Sequence, residues 1–168
     1  MMGLPMISRV RDTAIALAAA GLVLGASSAA AQTTPVAIVV HPATNVENLT
    51  FQELRSIFRG ERQFWSDGRR VTLLVRAPVA EERQLVLEKI YEMDEDEFRE
   101  YWIGKMFRAE VAAGPKLVYS ADMARDLVTV IPGAITFVPV SDVSSESKVV
   151  RIDGLLPSDS GYVLRETP

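Results

Sequence analysis

The sequence predicts an α/β or mixed α+β fold, with about four helices packed on a central mixed sheet of about four or five strands. Two observations lead to this prediction. Short runs of β-branched and other apolar residues, bounded by turn residues, are typical of buried strands. Between these runs, apolar residues recur three and four positions apart, behind residues that favour helix starts. Strands and helices therefore alternate along the chain.

Five segments are expected to form strands. They are Val36–Val40, Arg70–Arg76, Ala134–Val138, Val149–Ile152 and Tyr162–Leu164. The first is followed by His41-Pro42 and the second by Pro78, and proline has no backbone N–H to donate to a sheet. The third follows the turn pair Pro132-Gly133, and the last is expected only as a short edge strand.

The first helix is expected to begin behind Thr50 and to end at Gly60. Thr50 and Glu53 have the spacing of a capping box, in which each side chain accepts a hydrogen bond from the other residue's backbone N–H. The expected apolar face contains Phe51, Leu54 and Phe58. Gly60 favours the left-handed conformation that commonly ends a helix.

Three further helices are predicted, the first of them over Glu81–Met93. The next begins after Asp94, whose spacing to Glu97 repeats the capping box, and the last begins after Ser120. The acidic run Asp94–Glu97 is interpreted as a helix start, where the helix dipole favours negative charge, with a metal site as the alternative. The expected buried faces contain Phe98, Trp102 and Met106 in one helix and Met123, Leu127 and Val130 in the other.

Residues 1–31 have the pattern of a cleavable secretion signal. Two arginines precede the uncharged apolar run Thr13–Leu24, which is too short to span a bilayer, since a span needs ~20 residues. Small residues follow, and cleavage is expected after Ala31. The alternative is an uncleaved membrane anchor. We therefore expect residues 32–168 to form one domain in a bacterial periplasm, without a stable membrane anchor.

Composition and motifs exclude several function classes. The sequence has 18 basic and 22 acidic residues without a long basic run, which argues against nucleic acid as a partner. It has no cysteine, and therefore no disulfide, cysteine nucleophile or lipidated cysteine. The single histidine, His41, is interpreted as a loop residue, with a catalytic role as the alternative. No nucleophile elbow, phosphate-binding P-loop, zinc-protease motif or dinucleotide fingerprint occurs, so we expect no enzyme activity, cofactor or metal.

Arg76 and Arg83 are the candidate anion-binding residues. Arg76 ends a predicted strand, and ligands of open α/β sheets bind at the carboxyl ends of strands. Arg83 lies in the first turn of the following helix. A guanidinium group at such a place can form paired hydrogen bonds with a phosphate, sulfate or carboxylate. The alternative is that both arginines are solvated or pair with Glu81 and Glu82.

Five segments, in their order and spacing, resemble a known family. They are Leu49–Glu61, Phe64–Gly68, Val75-Arg76, the predicted helix with Phe98 and Tyr101-Trp102, and Val130–Val138. Together they resemble the phosphate-binding-protein-like domains, which are the periplasmic substrate-binding components of phosphate ABC transporters and their short relatives. The resemblance covers roughly residues 36–140. It implies a periplasmic-binding-protein-like lobe, a solute-binding role and phosphate or another small anion as ligand.

The chain departs from that family after Arg76. In full-length members the corresponding arginine is followed by a Ser-Gly-Thr turn, whereas Ala77–Glu82 contains neither a hydroxyl group nor a glycine. Full-length members also enclose the anion between two lobes, and residues 32–168 correspond to about one lobe. The resemblance therefore implies weak anion binding at Arg76 and Arg83.

Three functions remain open from the sequence. The first is a periplasmic solute-binding-like module that binds a small anion and works with a membrane permease. The second is an interaction module that reuses the same fold to contact a permease or a sensor protein, without a small-molecule ligand. The third is a secreted enzyme, which no motif supports.

Overall fold

A five-stranded sheet is the centre of the computed structural model, which describes residues 34–165. The strands are β1 (Val36–Val40), β2 (Asn48–Leu49), β3 (Thr72–Arg76), β4 (Lys116–Val118), β5 (Ala134–Pro139), β6 (Lys148–Val149) and β7 (Arg151–Ile152). The helices are α1 (Phe51–Phe58), α2 (Glu81–Val86), α3 (Glu95–Phe107) and α4 (Ala121–Val130). A π-helical turn, Leu87–Tyr91, continues α2, and a short 3-10 turn, Val140–Asp142, follows β5.

The large sheet has the strand order β4-β3-β5-β1-β6. β3 runs parallel to β4 and β5, whereas β1 runs antiparallel to β5 and β6. The register places Arg76 beside Val118 and Thr72 beside Ala134. The carboxyl ends of β3, β4 and β5 therefore meet at one edge of the sheet. β2 and β7 form a separate parallel pair, and the predicted mixed α/β class is confirmed.

β1 lies in the centre of the core, and all of its residues are fully buried. Its side chains alternate between the two faces of the sheet, as strand geometry requires. Val36, Ile38 and Val40 belong to a large apolar cluster with side chains of α1, α2 and α3. Ala37 and Val39 belong to a smaller cluster with side chains of α4. Helices thus cover both faces, which is why β1 is a continuous apolar run.

The predicted helix starts are confirmed. Thr50 and Glu53 form both hydrogen bonds of the capping box of α1, and Asp94 and Glu97 form those of α3. Ser120 caps α4 through its hydroxyl group, which accepts a backbone N–H of the first turn. These caps satisfy N–H groups that have no partner within their own helix.

The predicted buried face of α3 is confirmed at Phe98 and Trp102 but is wrong at Met106, whose side chain is exposed. Lys105 is buried instead. Its ammonium group lies 5.4 Å from the ring centroid of Tyr101. A lysine can pack its aliphatic stem against apolar neighbours while its charge remains paired, which explains why it occupies this position.

The predicted buried face of α4 is largely wrong. Met123 and Val130 are exposed, and Leu127 is only partly buried against the smaller cluster. Ala124 and Val128 are the buried side chains of this helix. The sheet-facing positions of α4 are therefore occupied by smaller residues than the apolar spacing suggested.

The predicted second helix, Glu81–Met93, is correct in position, but only its first part is an α-helix. α2 ends at Val86, and the π-helical turn continues the segment to Tyr91. Glu92 follows with a left-handed φ of 57° and ends it. Tyr91 is fully buried, and its hydroxyl donates to the carbonyl oxygen of Phe58 at 2.9 Å.

Several strand predictions need correction. β3 begins at Thr72 rather than at Arg70, and the predicted strand Val149–Ile152 is divided between β6 and β7, which pair with different strands. Tyr162–Leu164 forms no strand. Instead, the Tyr162 hydroxyl donates to the carbonyl of Val36, and the Leu164 carbonyl accepts the N–H of Val36, both at 2.9 Å. β4 was not predicted.

The predicted secretion signal, residues 1–31, lies outside the described residues. Cleavage after Ala31 and a single domain over residues 32–168 therefore remain predictions. Among the helices of residues 34–165, none is long and apolar enough to cross a membrane.

We expect Gly133→Ala to destabilise the fold more than Gly68→Ala. Both glycines have a left-handed backbone, with φ values of 77° and 82°, so alanine adds ~1–2 kcal/mol of strain at either position. At Gly133, however, a Cβ would lie 2.3 Å from the carbonyl oxygen of Arg70, whereas at Gly68 it would meet no atom within 4 Å. Urea unfolding measures both losses. Equal losses would contradict the role assigned to this close approach.

Candidate functional site

Arg76 and Arg83 lie together at the carboxyl end of β3. Arg76 is the last residue of this strand, and only 7% of it is exposed. Arg83 lies in α2 and is 3% exposed, and its Nη1 donates to the carbonyl oxygen of Arg76 at 2.6 Å. The structure therefore brings the two predicted residues together, with both guanidinium groups withdrawn from solvent.

Arg76 is held by Glu82. Its Nε donates to Oε1 of Glu82 at 2.5 Å, and the exposed fractions of the two side chains are 9% and 8%. Because an unpaired buried charge costs several kcal/mol, roughly 3–5, each group makes the burial of the other tolerable. Nη1 of Arg76 is also buried, and it has no acceptor among the described residues. The guanidinium group thus keeps donors that Glu82 does not use, and those of Nη1 are buried.

Arg83 is held by Glu95 and Phe98. Its Nε and Nη2 donate to the two carboxylate oxygens of Glu95 at 2.6 and 2.8 Å, which is a bidentate pair. The guanidinium carbon lies 4.8 Å from the ring centroid of Phe98. Since Nη1 donates to the carbonyl of Arg76, all three guanidinium nitrogens already have a partner. Arg83 is therefore arranged to position Arg76.

The connection between β3 and α2 shapes this site. The N–H of Ala77 donates to the carbonyl of Val118 in β4, and the N–H of Ala80 donates to the carbonyl of Ala77. These bonds form a tight turn that contains Pro78. Ala80 precedes α2 and makes no side-chain capping bond. The connection therefore brings Glu82 back to Arg76 and adds no side-chain donor for an anion.

A groove next to the two arginines is strongly acidic. It has a volume of about 670 Å³ and lies between the β3–α2 connection and the start of α3. Its carboxylates belong to Glu81, Glu88, Glu92, Asp94, Glu95 and Glu97, and neither lysine nor arginine lines it. Hydrogen bonding to Arg55, together with its charge, lowers the pKa of Glu92, so this carboxylate keeps its negative charge. Glu81, Asp94 and Glu97 form no ion pair among the described residues, so an anion in this groove meets electrostatic repulsion from them.

The remaining sequence candidates have local contacts. His41 follows β1 at the opposite edge of the sheet, and its Nδ1 accepts the N–H of Ala43 at 3.1 Å. The acidic run Asp94–Glu97 forms the start of α3, where Asp94 caps the helix. No group of three or more histidine, aspartate and glutamate side chains in residues 34–165 is arranged to hold a metal ion.

Glu95 is the site residue that sequence reasoning did not find. The sequence named Glu82 as a possible partner of Arg76, and the structure has this pair. Glu95 was assigned to the helix start alone. A signal was nevertheless present, because Asp94 and Glu97 suffice for the capping box and leave Glu95 free to pair with an arginine.

Comparisons with known proteins identify the fold. No family model matches the chain, and no curated protein does. Solved structures match it: an ABC-type phosphate transport receptor from Vibrio cholerae has a TM-score of 0.61 and 20% identity, over 76% of this chain and 49% of that chain. PstS from Borrelia burgdorferi has a TM-score of 0.64 and 12% identity, over 81% of this chain and 56% of that chain. The fold is periplasmic-binding-protein-like.

A further match is a phosphate ABC transporter substrate-binding protein with bound phosphate from Clostridium perfringens. It has a TM-score of 0.60 and 16% identity, over 74% of this chain and 47% of that chain. The chain thus spans about half the length of the solved structures that it matches, with shares of 49%, 47% and 56%. At these identities the likeness is one of fold.

We expect Glu82→Gln to lower the free energy of unfolding by about 3 kcal/mol, because the buried charge of Arg76 then lacks a counter-ion. Glu81→Gln is the matched control, since Glu81 is an exposed neighbour without an ion pair among the described residues. Its effect should stay within about 0.5 kcal/mol. Chemical denaturation at neutral pH measures both. A loss at Glu82 as small as that at Glu81 would contradict the neutralising role of Glu82.

Proposed function

We propose that this protein is a solute-binding-like module of a bacterial periplasm and that it binds a small anion such as phosphate at Arg76. The fold supports a binding role, because the structures with the same fold are named as phosphate transport proteins and one of them has bound phosphate. The expected secretion signal, with cleavage after Ala31, supports the periplasmic location. In a transport role, the expected partner is a membrane permease.

The observation that carries this proposal is the unused donor of Arg76. Its Nη1 is buried without an acceptor among the described residues, at the end of a central parallel strand. Ligands of open α/β sheets bind at this end of the strands. A buried polar group without a partner is unfavourable, and an anionic oxygen is the acceptor that a guanidinium nitrogen prefers.

The same geometry limits the affinity for an anion. Glu82 already holds Nε of Arg76, and the neighbouring groove is acidic. The chain also spans only about half the length of proteins such as the Vibrio cholerae receptor, with 49% of that chain covered. An anion at Arg76 would thus remain partly hydrated, and we expect a dissociation constant of ~1 mM or weaker.

Arg83 has a supporting role in this proposal. It donates to the carbonyl of Arg76 and forms the bidentate pair with Glu95, so it holds the end of β3 against the start of α3. Loss of Arg83 would displace Arg76 rather than remove a ligand contact. Arg83 is therefore a positioning residue for the anion.

The test is calorimetric titration of the purified protein with phosphate and with sulfate at low salt. We expect weak binding that Arg76→Met abolishes. Arg99→Met is the control, because Arg99 is exposed and, among the described residues, forms an ion pair with Asp96 alone. Arg76→Lys keeps the buried positive charge. A thermal melt of each variant shows whether a loss of anion binding reflects unfolding. An unchanged affinity in a folded Arg76→Met protein would overturn the proposed site.

A second candidate function is an interaction module without a small-molecule ligand. Val79 and Tyr119 follow the carboxyl ends of β3 and β4, and they are 86% and 69% exposed. Because these strands are parallel neighbours, both side chains belong to the same edge of the sheet as Arg76. Large exposed apolar side chains at one place favour a protein partner. A membrane permease or a sensor protein would fit this function.

Crosslinking in cells separates the two functions. A photo-crosslinking amino acid in place of Val79 should capture a permease or sensor if this edge is a docking surface, whereas the same change at Arg99 should not. The docking function further requires that neither phosphate nor sulfate raises the melting temperature at concentrations up to about 10 mM. A melting temperature that rises with phosphate, together with no specific crosslink at Val79, would exclude docking as the main function.

A further inference from the structure

A separate cavity lies at the opposite end of β3. It has a volume of about 140 Å³ and lies between the end of α1, α3 and the loop that leads to β4. Its apolar lining includes Ile57, Leu73, Trp102 and Val111, all of which are buried in the large cluster. The inner wall of the cavity is therefore part of the hydrophobic core.

The indole ring of Trp102 comes unusually close to the backbone in this wall. A Cβ added to Gly60 would lie 2.8 Å from Cη2 of the indole, so only a glycine allows the ring its position. The indole Nε1 is buried and has no acceptor among the described residues. Trp102 thus combines an apolar surface with an unused hydrogen-bond donor.

The charged residues that line this cavity are all cations. They are Arg62, Arg70 and Lys116, and no carboxylate lines it. Arg62 is partly neutralised by Glu53 at 3.3 Å. Neither Arg70 nor Lys116 forms an ion pair within residues 34–165, and both are exposed. The mouth of the cavity is therefore locally positive, in a chain with a net charge of −4, and its inner wall is apolar.

We propose that this cavity binds a small monocarboxylate with a single-ring or short alkyl body. The body would be buried against the apolar lining, and the carboxylate would meet Arg70 and Lys116. The size agrees, because an apolar cavity of about 150 Å³ accepts benzene. Inorganic phosphate has no apolar part and would leave the lining unoccupied. The cavity is thus distinct in both place and chemistry from the end of β3 at Arg76.

The probe for this proposal is benzoate, titrated calorimetrically into the purified protein. Benzoate should bind, whereas acetate has the charge without the body, benzyl alcohol has the body without the charge, and both should bind much more weakly. Arg70→Gln and Lys116→Gln should each weaken benzoate by about tenfold, the loss expected for one hydrogen bond to a charged group. Lys89→Gln is the matched control, because Lys89 does not line the cavity and pairs with Glu88.

Fluorescence provides a second readout. Trp102 lines the cavity and Trp65 does not, so benzoate should change the emission of the protein, and Trp102→Phe should remove that change. Absence of benzoate binding up to about 10 mM, or equal affinity in the Arg70, Lys116 and Lys89 variants, would overturn the proposal. Phosphate binding at Arg76 is tested separately, so a negative result for one proposed site does not affect the other proposal.

Discussion

The cost of burying arginine charge is the constraint on which the candidate site depends. Arg76 and Arg83 are both almost fully buried at the end of β3, and an uncompensated guanidinium group there would strongly destabilise the fold. The chain supplies the counter-charges itself, from Glu82 and Glu95. The positive charge at this end of the sheet is therefore already largely neutralised by internal carboxylates. The affinity of the proposed anion site and the stability of the region formed by β3, α2 and α3 are coupled as a result.

Local signals were sufficient for the parts of the fold that depend on neighbours in sequence. The capping boxes at Thr50 and Asp94 join residues three positions apart, and β1 is an apolar run that is buried on both faces. Which face of α4 is buried depends on its contact with the sheet. Met123 is more hydrophobic than Ala124, yet Ala124 is buried and Met123 is exposed. β4 has three residues and is defined by its pairing with β3, which no local pattern reveals.

The candidate site likewise contains pairs that lie close in sequence, which could be predicted, and pairs that only the fold brings together. Glu82 is six positions from Arg76, and its pairing was an alternative that the sequence offered. Glu95 is twelve positions from Arg83 and reaches it only because the π-helical turn and the left-handed Glu92 redirect the chain. The cavity at the start of β3 is lined by residues from four separate stretches of sequence, and tertiary packing alone brings them together. Sequence patterns therefore located the arginines but not their full surroundings.

The position of β1 has a consequence for the kinetics of folding. This early strand pairs with β5 and β6, and Val36 at its start contacts Tyr162 and Leu164. The centre of the sheet therefore closes through residues separated by most of the chain, which corresponds to a high contact order and to slow folding. β1 has no partner until β5 has been synthesised. A nascent chain of this topology therefore stays unfolded for longer.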